Sequence, residues 1–91
     1  MNNNTYNTKI SNIEKNIANA IEEMADFGYY PEVSIISGGL LMLPTISRGQ
    51  RPYALKNLED YIKSSIKEEE IKEDMLLSLE KIYNILKIKM L

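Results

Sequence analysis

The chain has 91 residues, 44% of them hydrophobic, and a formal net charge of -2 from 11 basic and 13 acidic side chains. That length makes one domain with one core, and the near-balanced charge excludes the sequence-blind coating of duplex nucleic acid that a strongly basic surface performs. Cysteine and histidine are both absent, which rules out disulfides, thiolate nucleophiles, a zinc ribbon and the usual histidine-based acid–base catalysis.

Residues 1–7, "MNNNTYN", read as a flexible polar tail, with residues 8–91 as a single domain. Ile10, Ile13, Ile17, Ile21 and Met24 then recur at spacings of three and four, which predicts an amphipathic helix over about 9–27. Ser11 with Glu14 matches a capping box, Thr8 offers a cap one turn earlier, and Gly28 supplies the stop.

After the link "YYP" comes "EVSIISGGLLMLPT", in which two β-prone runs flank Gly38 and Gly39. A Gly-Gly turn predicts a hairpin with strands near 32–37 and 40–45, pairing Ile36 with Leu41 and Ile35 with Met42. Val33, Ile35, Leu40 and Met42 would share one face, and Ile36, Leu41 and Leu43 the other. Both faces are apolar, so the hairpin is expected to be covered by helices or to pair with a second copy across a homodimer.

Pro52 suits the first turn of another helix, whose stripe is Leu55, Leu58, Ile62 and Ile66. The later stripe of Ile71, Met75, Leu79, Ile82 and Leu86 lies near the opposite side at 100° per residue, which predicts a break near 64–70. Ser65 with Glu68 offers a second capping box there, although a single continuous helix is the competing reading. The expected fold class is therefore α+β: helix, hairpin, then two C-terminal helices.

The segment "LPTISRGQRPY" holds both arginines of a chain whose other basic residues are lysines. A guanidinium fork matches phosphate or carboxylate bidentately, and Arg48 and Arg51 double it. Thr45 and Ser47 add hydroxyls, Gly49 permits close backbone approach, Gln50 adds an amide, and the following helix would aim its N-terminal amides at the same place. Tyr53, with Tyr29 and Tyr30 if the fold brings them near, would stack on a base. The segment matches neither a Walker loop nor a dinucleotide fingerprint; the plain alternative is a solvated loop whose arginines pair with surface glutamates. The run of Glu68, Glu69, Glu70, Glu73 and Asp74 reads as solvated helix surface, not as a metal site.

These residues predict a small non-catalytic binding protein that sequesters an anionic, nucleotide-like small molecule at Thr45–Tyr53. It would have no cofactor, no metal and no membrane or duplex partner, and would form a homo-oligomer. The alternative is a protein inhibitor or adaptor, for which a phage-type anti-defence role fits the chain size and the Asn-, Ile- and Lys-rich composition. The longest apolar run, Leu40–Leu43, is far short of the about 20 residues that span a bilayer, and the start lacks an apolar signal core, so a cytoplasmic location is expected.

Overall fold

The computed structural model describes the backbone of residues 4–88 and the side chains of residues 14–88. Four α-helices follow one another: α1 (Asn4–Ala25), α2 (Tyr30–Met42), α3 (Arg51–Ser65) and α4 (Glu69–Ile85). Short 3₁₀ turns over Leu43–Thr45 and Arg48–Gln50 connect α2 to α3. Each helix packs on two neighbours, α1 on α2 and α4, α3 on α2 and α4. With such short connections, neighbours run antiparallel and the result is an up-down-up-down bundle.

No strand occurs among the described residues, so the α+β expectation is overturned. The segment expected to form strands at 32–37 and 40–45 is helix α2 and the whole of the first 3₁₀ turn, and Gly38 and Gly39 lie inside a helix, not in a turn. The pairings of Ile36 with Leu41 and Ile35 with Met42 do not exist, and no hairpin is available to pair across a dimer. Val33, Ile36, Leu40 and Leu43 are the residues buried from this segment; their three-and-four spacing is helical. The period was hidden because Ile35, Leu41 and Met42 on the other side are apolar too, so neither side contrasts with the other. Pro31 in the first turn of α2 is the start signal that "YYP", taken as a link, concealed.

The other three helices follow their stripes. Ile17 and Met24 of α1, Leu55, Leu58 and Ile62 of α3, Ile66 just beyond it, and Met75, Leu79 and Ile82 of α4 are all buried in one core. Burying such side chains contributes roughly 1.5–3 kcal/mol each before chain entropy is subtracted. Helix α1 begins at Asn4, upstream of the expected start, and ends at Ala25 with Gly28 at φ +87°, a conformation that strains any residue with a Cβ. Of the expected tail, residues 1–3 lie outside the described residues, as do the side chains of Ile10 and Ile13.

The break between α3 and α4 falls at Ile66–Glu68. Ser65 is the last residue of α3, and α4 starts from Glu68 without a side-chain cap, so the expected Ser65–Glu68 box is not formed. Glu69 and Glu70 instead place carboxylates in the first turn, where the helix dipole favours them. No described helix is long and apolar enough to cross a membrane.

At its far end α4 closes with a Schellman motif. The Ile88 amide donates to the Tyr83 carbonyl and the Lys87 amide to that of Asn84. Lys87 takes the left-handed position at φ +55°, where glycine or asparagine is the usual occupant. That geometry turns the chain after α4 towards the start of α3 and builds one wall of the site described next.

Candidate anion-binding cleft

The antiparallel arrangement brings the Arg48–Pro52 segment against the C-terminal end of α4. Between them lies a cleft of about 500 Å³ lined by Arg48, Arg51, Pro52 and Ile85–Ile88. Among the described residues, every charged group on its wall is a cation: Arg48, Arg51 and Lys87. In a chain of net charge -2 that is a local reversal of sign, and it is set against an apolar wall of Pro52, Ile85, Leu86 and Ile88.

The two arginines have different positions. Arg51 is half-buried, and its Nε donates to the Leu43 carbonyl at 2.9 Å, with Nη2 reaching the Pro44 carbonyl at the outer limit of 3.5 Å. It thus satisfies carbonyls left open where α2 runs into its 3₁₀ turn. Part of its fork stays free to face the cleft, because a guanidinium has five N–H donors. Arg48 is exposed, and neither arginine forms an ion pair among the described residues. The alternative in which surface glutamates occupy them is therefore not what the geometry contains.

The remaining expected site residues divide between the two ends of the bundle. Ser47 precedes the second 3₁₀ turn, and its carbonyl accepts from the Gln50 amide at 3.0 Å. The Arg51 amide likewise donates to the Arg48 carbonyl, so the 3₁₀ turn uses amides that were expected to face a ligand at the start of α3. Thr45 Oγ1 donates to the Met42 carbonyl at 2.7 Å, closing the end of α2. Gly49 and Gln50 are exposed, and a Cβ added at Gly49 would meet nothing within 4 Å. Tyr53 is 58% exposed and does not line the cleft.

Tyr29 and Tyr30 stand at the opposite end, separated from Thr45 by the whole of α2, roughly 20 Å at 1.5 Å per residue. The Tyr29 hydroxyl donates to Glu68 Oε1 at 2.9 Å, and that carboxylate holds the phenol above its usual range. This contact ties the start of α2 to the start of α4. Lys87 and the apolar wall from α4 were not foreseen; a lysine at a left-handed helix end carries no signal in composition or spacing.

A larger cleft of about 580 Å³ lies between the end of α1 and α4. Among the described residues its wall carries Glu23, Asp26, Asp74 and Glu80 against one cation, Lys81, the wrong sign for an anion. There Ser78 donates to Glu23 Oε1 at 3.1 Å and Lys81 pairs with Glu23 Oε2 at 3.3 Å, so its polar groups join helices. Of the acidic run, Glu69 pairs with Lys72, and no group of three or more possible metal ligands converges among the described residues.

Comparison with family models, with curated proteins and with solved structures returns no match. The functional reading rests on the cleft's own chemistry.

Proposed function

We propose that this is a non-catalytic binding protein that takes an anionic small molecule into the cleft between Arg48–Pro52 and the end of α4. The observation that carries the reading is the convergence of Arg48, Arg51 and Lys87 on one wall without an opposing carboxylate among the described residues. Arg51, held by backbone carbonyls, presents a pre-oriented fork, which lowers the ordering cost of each hydrogen bond it makes. Arg48 and Lys87 supply mobile charge. The apolar wall suits a ligand whose phosphate or carboxylate is attached to a non-polar body, and a volume of about 500 Å³ is within the usual span for small-molecule sites. A nucleotide is one member of that class, its base resting on the apolar wall, since neither Tyr53 nor Tyr29 nor Tyr30 lines the cleft. The reading carries a cytoplasmic location with it, because phosphorylated small molecules are retained where their charge keeps them from crossing a bilayer.

The test is a thermal-melt and calorimetry screen with inorganic phosphate, nucleoside mono- and diphosphates, cyclic nucleotides and simple carboxylates. A ligand at 100 times its dissociation constant adds about 2.7 kcal/mol of stability. The reading expects binding that weakens with salt and is lost in an Arg48→Ala/Lys87→Ala double variant, which spares the carbonyl contacts of Arg51. A screen with no stabilising member, or stabilisation that survives the double variant, overturns it.

A further inference from the structure

Helix α2 is apolar on both sides, and only one side is buried. Opposite Val33, Ile36, Leu40 and Leu43 lie Ile35, Leu41 and Met42, which are 56%, 60% and 59% exposed, with Tyr30 at 68% beside them. At 100° per residue these positions fall on one arc with Gly38 near its centre. Between Val33 and Ser47 the sequence contains no charged residue at all. A solvated helix face normally carries charges, as α3 does with Lys56, Asp60 and Lys63.

The two glycines of α2 differ in what surrounds them. A Cβ on Gly39 would stand 2.8 Å from Leu58 Cδ2, so its absence lets α2 and α3 approach. A Cβ on Gly38 would meet nothing within 4 Å, and its φ is not positive. Each glycine inside a helix costs roughly 1 kcal/mol relative to alanine. For Gly38 nothing among the described residues of the subunit offsets that cost.

We propose that the α2 face centred on Gly38 is the contact surface of a homodimer, in which a second copy lays its own α2 antiparallel across it. The glycine at the crossing lets the two backbones come closer than side chains of ordinary size allow. A two-fold axis beside Gly38 sets Ser34 of each copy opposite Met42 of the other, and Ile35 opposite Leu41. An isologous contact sets a surface against itself, so a charge near the axis would meet its own like; a face without charge suits a second copy. Tyr30, Ile35, Leu41 and Met42 together expose roughly 500 Å² per subunit, more than half of the roughly 800 Å² per partner in a standard interface. The proposal is independent of the anion cleft.

Sedimentation velocity over a dilution series tests it. The expected result is a species of twice 10.5 kDa that dissociates on dilution. Ile35→Glu should give a monomer with unchanged helical circular dichroism. Gly38→Gln separates the interface from the fold, since it should raise the monomer's stability through helix propensity while weakening the dimer by about tenfold or more through overpacking. Leu77→Glu, at an exposed apolar site on α4, should leave the dimer intact. A monomer at every concentration into the millimolar range overturns the proposal, and so does a dimer that Ile35→Glu and Gly38→Gln leave unchanged.

Discussion

Replacing Arg51 by methionine keeps the aliphatic stem and removes the fork, so the change isolates what the guanidinium does for the fold. The fork supplies one well-formed bond, Nε to the Leu43 carbonyl at 2.9 Å, and a marginal one to Pro44 at 3.5 Å. A hydrogen bond from a charged donor contributes about 1.5–3 kcal/mol net, and the longer contact adds little. Arg51 is half-buried, so water replaces part of the loss and the expected destabilisation is about 1–2 kcal/mol. In a chain of this size each kcal/mol moves Tm by about 4–8 °C. Urea unfolding followed by circular dichroism should show a lower midpoint with an unchanged slope, while Arg48→Met, at an exposed site with no side-chain bond among the described residues, should leave the midpoint within experimental scatter. Equal losses from the two variants, or no loss from Arg51→Met, would refute the assignment of Arg51 as the residue that closes α2.

Lys87→Gly relieves the left-handed position at φ +55° and should stabilise the fold by up to about 1 kcal/mol while weakening anion binding, a pair of opposite effects readable by urea melt and calorimetry. Glu59 is held below the usual carboxylate range chiefly by the Lys63 ammonium, with Lys56 adding to it against the opposing effect of burial. Its contribution is therefore present above the ordinary carboxylate pKa and is lost as pH falls through the depressed one; acid titration of stability in Glu59→Gln should be flatter than in the parent over that window. The Tyr83 hydroxyl is buried without a hydrogen-bond partner among the described residues, and burial pushes its phenol above the usual range. Tyr83→Phe should accordingly be neutral or stabilise by about 1 kcal/mol, and a clear loss in the melt would contradict that account. In Gly39→Ala the new Cβ presses on Leu58 at 2.8 Å, so overpacking should outweigh the propensity gain and lower stability by about 1 kcal/mol; a rise in Tm would mean that Leu58 moves aside freely.

Of the site residues singled out in the sequence, only Arg48 and Arg51 line the candidate cleft, and its place in the fold was not legible at all. Arg48 and Arg51 stood out because they are the only guanidiniums in the chain. Nothing in their spacing indicated that Arg51 would bond the Leu43 carbonyl, that the 3₁₀ turn would use the Gln50 and Arg51 amides, or that α4 would return with Lys87 and an apolar wall. Tyr29 and Tyr30 were separated from the arginines by the direction of α2, which a hairpin reading reverses.

Helices α1, α3 and α4 were determined by sequence alone, because their apolar stripes contrast with charged faces and the period is visible without any partner. So was the glycine stop after α1; the change of stripe pointed to a break between α3 and α4 but left a single continuous helix open, and the structure places the break at Ile66–Glu68. Helix α2 was decided by tertiary structure. A Gly-Gly pair within β-prone residues has a local preference for turn and strand. That preference was overcome because the groove among α1, α3 and the turns accepts Val33, Ile36, Leu40 and Leu43 at helical spacing, and because Leu58 packs where a Cβ at residue 39 would be. Burial of four large side chains outweighs the roughly 2 kcal/mol of propensity that two helical glycines cost. That balance is struck only when the rest of the bundle is present.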